Sequence, residues 1–308
     1  MKKAIVTGAN GFIGSNLVSE LLSHDIEVIA LVRNEKSNRD TLAKNDKLKI
    51  VYCELNELPS LPQKINDRDI DVFYHFAWTG SSGNARIDET LQTQNALWTA
   101  DSVRVAKEIG CKRFVGAGSI MEKETMAAVY TQENQPGLAY IYGASKLTAH
   151  CISKSVAAQI GIEHLWGTIS NAYGPGELSP RFVNTTIRKI IKNDPLQFTS
   201  AIQNYDFIYI TDVAKAFYLI GLQGKPFCNY TIGSSNARPL KEFIIELQQT
   251  LAPERELIFG DIHFTGINMG LEKFSTEDLK RDTGFECTIS FSEGVKRTME
   301  WLKILEEI

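Results

Sequence analysis

A glycine-rich junction at the start of the chain limits its fold more than any other feature. The apolar, β-branched run 3–7 meets Gly8-Ala9-Asn10-Gly11-Phe12-Ile13-Gly14 and passes directly into an amphipathic stretch at 13–23. One glycine permits the tight turn, the next lets backbone N–H groups approach a diphosphate, and the last lets the helix pack closely on the strand. The helix N-terminus then turns its partial positive charge toward the bound anion. The spacing is GxxGxxG rather than the commoner GxGxxG, so its weight comes from its place at the first strand-to-helix junction. Gly8, Gly11 and Gly14, with Asn10, Phe12 and Ile13 beside them, are the predicted seat of a dinucleotide.

The rest of the first half keeps this rhythm. Apolar runs at 27–31, 49–52, 72–75, 113–116 and 164–168 alternate with helical patterns such as 90–109 and 145–160. Each parallel crossover needs a helix, and strands buried on both faces read as continuous apolar runs. The pattern therefore predicts an α/β fold with a Rossmann-type doubly wound parallel sheet. Past Asn171 the rhythm breaks at Tyr173-Gly174-Pro175-Gly176, which is dense in turn formers. The expected organisation is a dinucleotide-binding domain over 1–172, rejoined by 205–233. A smaller C-terminal α/β substrate-binding domain, built from 173–204 and 234–308, interleaves with it.

Composition narrows the partners. The chain has 308 residues, 33 of them basic and 37 acidic, for a formal charge of -4. That balance offers no field to draw nucleic acid or an anionic membrane. No apolar run is long enough to span a bilayer. Met1-Lys2-Lys3 before Ala4-Ile5-Val6 has the charge of a signal peptide's start, but the run stops at Thr7-Gly8, as a first strand does. Cys53, Cys111, Cys151, Cys228 and Cys287 lie far apart without a CxxC or His-Cys cluster. That is the pattern of free thiols in a reducing cytosol, with no disulfide framework and no metal site. A cytoplasmic location follows as the expectation, with Cys111 and Cys151 in the core.

The second apolar run ends in Leu31-Val32-Arg33-Asn34, with Lys36 and Arg39 close behind, where an NAD-specific site would carry an acid on the ribose 2′-hydroxyl. A guanidinium holds a 2′-phosphate that an acid would repel, so Arg33 points to NADP, with NAD as the alternative if Arg33 is a solvated surface charge. Glu54, with Leu55 after it, is placed to meet the adenine. Further on, Tyr142-Gly143-Ala144-Ser145-Lys146 sets a phenol and an ammonium four residues apart, on one face of a helix start. A nearby cation stabilises phenolate, which makes Tyr142 the candidate acid or base at a carbonyl or carbinol oxygen and Lys146 its partner. Ser119 follows the run at 113–116, at the carboxyl edge of the sheet, and can hydrogen-bond the same oxygen.

Together these residues resemble the extended short-chain dehydrogenase/reductases, in the NAD-dependent epimerase/dehydratase group that modifies nucleotide sugars. The resemblance covers nearly the whole chain. It runs through the glycine turn, His75-Phe76-Ala77-Trp78, Asn95, Ser119, Tyr142-x-x-x-Lys146, Asn171-Ala172-Tyr173-Gly174-Pro175 and Asp206-Phe207-Ile208-Tyr209. It implies Ser119, Tyr142 and Lys146 as catalytic, and Ala77 and Asn95 beside the cofactor, with Asn95 ordering the catalytic network. It further implies Asn171 facing a bound sugar nucleotide and a homodimer formed through the helices at 90–109 and 145–160. Trp78, Gly80, Gly83 and Arg86 form a loop after the fourth run that is expected to line the sugar pocket, with packing the alternative for Trp78, and Met121 and Arg181 are further candidate substrate contacts. His75, inside a strand, reads as a satisfied core histidine.

Three departures bear on the reaction. Sugar-nucleotide dehydratases resemble one another in an Asp-Glu pair directly after the catalytic hydroxyl residue; here those positions are Ile120 and Met121, which cannot transfer protons. Glu122 follows, and an extended conformation would point it elsewhere. Many members carry an Arg before the Asp-Phe-Ile-Tyr run to grip the substrate's diphosphate, where this chain has Tyr205. A further family Arg is Thr168 here, leaving Arg181, Arg238 and Lys241 as candidate cations. The leading expectation is NADPH-dependent reduction of a 4-keto-6-deoxy sugar nucleotide. The alternatives are a C4 epimerase with a retained cofactor, a reductase of non-sugar carbonyls, and a catalytically dead dinucleotide-binding regulator.

Overall fold

The apolar runs of the first half assemble into one parallel sheet. The computed structural model describes residues 1–37, 40–262, 264 and 266–306. Its first half runs β1 (Lys3–Thr7), α1 (Phe12–Ser23), β2 (Glu27–Val32), β3 (Leu48–Tyr52), α2 (Leu61–Lys64) and β4 (Val72–His75). It continues with α3 (Glu89–Glu108), β5 (Arg113–Ser119), α4 (Met121–Tyr130), α5 (Tyr140–Ile160) and β6 (Glu163–Ile169). Beyond it come β7 (Asn171–Tyr173), α6 (Phe182–Ile191), β8 (Leu196–Phe198), β9 (Asn204–Tyr205), β10 (Phe207–Tyr209) and α7 (Ile210–Gln223). The chain closes with β11 (Asn229–Ile232), β12 (Arg238–Pro239), α8 (Leu240–Leu251), β13 (Leu257–Phe259), α9 (Glu277–Thr283) and α10 (Phe291–Leu305).

The large sheet has the order β11-β6-β5-β4-β1-β2-β3, with every neighbouring pair parallel. The winding reverses at β1, which has β2 on one side and β4 on the other. The crevice outside the carboxyl ends of β1 and β4 is where such sheets bind ligands. Ala4, Ile5 and Val6 of β1 are fully buried, as a central strand covered on both faces requires. One face packs on Leu17 and Leu21 of α1 and Phe217 of α7; the other packs on Val103 of α3 and Ala157 of α5. Trp166 lies flat across Gly116 and Gly118 on the neighbouring strand, where a Cβ would come 2.2 Å from its ring atoms. Truncating so large a buried ring to Ala would cost about 3–5 kcal/mol.

Two sequence-based bounds shift, and both matter for the site. The strand expected at 113–116 continues to Ser119, and the helix expected from 145 begins at Tyr140. Gly143 sits where α4 crosses α5, and a Cβ there would be 2.5 Å from the Met121 carbonyl oxygen. In the second half, β7 pairs with β10, β9 with β12, and β8 with β13 in separate two-stranded sheets, while β11 returns to the edge of the large one. Among the described residues no helix is long and apolar enough to cross a membrane, and the cysteines are unpaired. Cys111 is buried as expected; Cys151 is exposed, because it falls on the outward face of α5. Arg39 lies outside the described residues.

Candidate active site

The ends of β1 and β4 are laced together before any ligand is considered. The Thr7 hydroxyl accepts from the N–H groups of Phe76 and Ala77 at 3.1 and 3.0 Å. Gly8 follows with φ +64°, and a Cβ on it would sit 2.8 Å from the Ala77 nitrogen. A Cβ on Gly14 would sit 2.1 Å from the Gly8 carbonyl oxygen, so only glycine lets α1 approach this closely. The N-terminus of α1 has neither a side-chain cap nor an acid in its first turn. Its free N–H groups and dipole suit an anion. They line a cavity of about 970 Å³.

That cavity runs along the carboxyl edge of the sheet and gathers most of the predicted residues. Gly8, Asn10, Gly11, Phe12, Ile13 and Gly14 form its floor, and Arg33, Glu54 and Leu55 lie past β2 and β3. Glu54 accepts from the Asn34 side-chain amide at 3.3 Å, while Arg33 is exposed. Ala77 and Trp78 follow from β4, and Ser119, Tyr142 and Lys146 close the other end. The cradle and its length therefore fit a dinucleotide, with its diphosphate at the glycine turn.

At that closing end the extension of β5 and the early start of α5 bring the three candidate catalytic side chains together. The Ser119 hydroxyl faces the Tyr142 phenol and accepts from the Met121 N–H at 3.2 Å. Burial pushes the Tyr142 phenol upward, opposed by the charges of Arg86 and Arg181 and by the nearby Ser119 hydroxyl. Lys146 donates to the Ala117 carbonyl oxygen at 3.0 Å and rests 3.7 Å from the centre of a Trp78 ring. Burial pulls it down to about 7. The cation over the Tyr142 ring is Arg86, at 4.2 Å, from the loop before α3.

The remaining predicted residues divide. Arg181 lines the cavity and pairs with Glu177 at 3.0 Å. Asn95 does not line it; its amide is spent on both backbone groups of Thr79 and on the Leu91 carbonyl, so it orders the wall from behind. Asn171 also points away, donating to the Asp206 carbonyl at 3.0 Å. Its neighbours Ser170 and Ala172 face the cavity instead, as alternation along an extended segment dictates. Met121 falls outside because the chain turns helical immediately after Ser119. That helix, not an extended segment, carries Glu122 beneath β5, where its carboxylate accepts from the Ser119 N–H at 2.8 Å and the Trp166 indole N–H at 3.2 Å.

Tyr205 stands opposite Arg238 in the β9–β12 pair, and burial pushes its phenol up to about 12. Arg238 is engaged by Glu246 and by the face of Phe243, and Lys241 lies over Phe259. Of the three candidate diphosphate cations, Arg181 is thus the one at the cavity. His75 is a core residue, bonded to Thr7 and Ser102 at 3.0 Å each and held down at about 3 by burial. Sequence reasoning did not single out Glu177 and Ser179, which also line the cavity; the turn formers just before them were their only signal.

The family model for the NAD dependent epimerase/dehydratase family matches residues 4–233. A Methanocaldococcus jannaschii protein named "Putative UDP-glucose 4-epimerase" is 26% identical, with 97% of this chain and 98% of the relative covered. Among solved structures, a Methanobrevibacter ruminantium UDP-N-acetylglucosamine 4-epimerase in complex with UDP-N-acetylmuramic acid superposes with a TM-score of 0.81. It is 20% identical and covers 100% of this chain and 99% of its own. A Bacillus cereus UDP-glucuronic acid 4-epimerase variant in complex with NAD gives a TM-score of 0.77 at 20% identity, covering 98% and 99%. At such identities the structures establish the shared fold, and the family match establishes more: the chain is a member of the NAD dependent epimerase/dehydratase family and an NAD(P)-dependent enzyme of that kind.

Proposed function

We propose that the protein is a nucleotide-sugar C4 epimerase that retains its dinucleotide, with Ser119, Tyr142 and Lys146 as its catalytic residues. The observation that carries this reading is the composition of the cavity's closed end. Ser119, Tyr142 and Lys146 meet there, and the chain past Ser119 adds no second acid–base pair. Ile120 is buried against Met269 and Phe274, and the Glu122 carboxylate is held behind the strand. One oxygen can be deprotonated and reprotonated at such a site, which is what inversion of a carbinol carbon by oxidation and return requires. Elimination of water would need a second proton carrier.

A bound nicotinamide supplies hydride acceptance and return. The chain's own part is to hold the diphosphate on Gly8, Gly11 and Gly14, and to take the substrate proton onto Tyr142 while Ser119 donates to the same oxygen. Returning that proton to the other epimer closes the cycle. Arg181 is the cation for the substrate diphosphate. The relatives named as 4-epimerases support this reading over the reductase.

The test is to incubate the protein with NAD and UDP-glucose, UDP-N-acetylglucosamine or UDP-glucuronic acid, and to follow the sugar protons by NMR. Interconversion of one C4 pair without net change in the dinucleotide is expected. A second reading, the NADPH-dependent reductase of 4-keto-6-deoxy sugar nucleotides, is favoured by Arg33 at the cavity's other end. Stoichiometric NADPH oxidation with such a sugar, and no interconversion, would establish it in place of the epimerase. Arg33→Asp should then weaken NADPH use more than NADH use.

A further inference from the structure

Tyr142 sits on the inner face of α5 with its ring edge-on to Trp78, and burial favours its neutral phenol. Its cations are disposed unevenly. Lys146, one turn along the same helix, is turned to the Ala117 carbonyl, and its Nζ lies 6.0 Å from the Tyr142 ring centre. Arg86 arrives from the loop before α3, with its guanidinium carbon 4.2 Å from that centre. Among the described residues no carboxylate forms an ion pair with Arg86; Glu124 and Arg181 are the other charged groups that face it, and burial disfavours its charge. A half-buried guanidinium with no carboxylate in direct contact is costly unless an anion forms beside it.

The loop is built to keep that guanidinium in place. Buried Gln92 accepts from the Trp78 indole N–H at 2.8 Å and donates to the carbonyls of Gly80 and Ala85 at 2.8 Å each. Both arms of the loop are therefore tied to α3 through one side chain. Arg86 follows Ala85 directly, and its stem has little freedom to leave. Asn95 fastens the next contact, at Thr79, in the same way.

We propose that Arg86 stabilises the Tyr142 phenolate through the face of its ring, and so shares with Lys146 the task of readying Tyr142 for proton transfer. This rests on Tyr142 being the proton carrier. The groups that face Tyr142 are Arg86 from the loop, Arg181 from the start of α6, Glu122 from α4, Ser119 from β5 and Lys146 from α5 itself. Arg86 is the nearest of the positive charges to the ring for which a distance is fixed, and it opposes the burial that keeps the phenol neutral.

Tyrosinate absorbance followed against pH, as the wild type minus Tyr142→Phe, isolates this phenol both with and without NAD. Arg86→Met should move its ionisation upward by about one pH unit or more. Arg86→Gln should do the same if the charge is what matters, and Arg86→Lys should give back part of the shift. The acidic limb of the kcat/KM profile, where the phenolate takes up its proton, should move with it. Equal midpoints in the wild type, Arg86→Met and Arg86→Gln would overturn the proposal while leaving Tyr142 as the proton carrier. If Tyr142 shows no ionisation with NAD bound anywhere in the pH range of turnover, both readings fall together.

Discussion

Lys146 carries its charge at a cost that depends on pH. Its ammonium is buried, and its folded value of about 7 stands against an ordinary 10.5. Below about pH 7 the folded and unfolded chains both hold the proton, and the folded chain bears the whole cost of burying it. Between about 7 and 10.5 the folded chain releases a proton that the unfolded chain keeps, so this residue's contribution to stability rises with pH. The full span is worth up to about 5 kcal/mol. Lys146→Met removes the titration, so its stability advantage over the wild type should shrink steadily from about pH 7 toward 10. Paired urea denaturations across that range measure it; an advantage that does not change with pH would mean the ammonium is solvated. For Tyr142→Phe the expectation is kinetic, a fall in kcat of about 10²–10⁴-fold. NAD affinity by calorimetry should stay the same, and an active variant would remove Tyr142 from the mechanism. The four-residue spacing of Tyr142 and Lys146 was readable because a helix puts such pairs on one face. The distance of Lys146 from the ring was not, since it depends on where the Ala117 carbonyl falls at the end of β5. Arg86 was visible only as a loop residue, and a loop that turns through Gly80 and Gly83 at positive φ can deliver a side chain to many places.

Among the elements, the glycine turn and α1 make a separable pair of predictions. Gly14→Ala puts a Cβ 2.1 Å from the Gly8 carbonyl oxygen and must push α1 off β1. It should lose both NAD binding and stability, the latter by the roughly 1–3 kcal/mol of an overpacked core site. A Cβ on Gly11 meets only the Gly8 carbonyl oxygen, at 3.2 Å, within reach of a small shift. Gly11→Ala should keep its melting temperature nearly unchanged and still weaken NAD by tenfold or more, because the methyl stands where backbone N–H groups must approach a phosphate. Calorimetry and thermal melts on the two variants decide it; equal stability losses would place Gly11 in packing instead. The strands of this half were legible because double burial writes them as continuous apolar runs. The segment after Ser119 was weighed only as an extended conformation, although Met121-Glu122-Lys123-Glu124-Thr125-Met126-Ala127 is rich in helix formers. Glu122 and Glu124 also fall in the first turn, where the helix dipole favours acids.

For the whole molecule, the C-terminal half was the least legible, because its pairs β8–β13 and β9–β12 join strands of two or three residues far apart in sequence. Runs that short carry no periodicity to read. The outward face of the first half says more. On α5, Ala144, Thr148, Cys151, Ser155 and Ala158 are all exposed and recur every three or four residues, so they form one stripe of small side chains. On the neighbouring α3, Leu97 is 47% exposed. Small side chains let a second pair of helices approach closely, and an exposed leucine beside them gains most from being covered. The homodimer implied by family resemblance would use this face, placing α3 and α5 of two copies together. Tyr142 and Lys146 project from the inner side of the same α5, so such packing would brace from behind the helix that carries them. Sedimentation equilibrium should therefore give a dimer for the wild type, and Thr148→Arg, a bulky charge in the middle of the stripe, should give a monomer. The monomer should unfold at lower temperature and turn over more slowly, with NAD affinity little changed because the glycine turn lies across the sheet. A wild-type monomer at micromolar concentration, or a Thr148→Arg dimer, would show that this face stays in water.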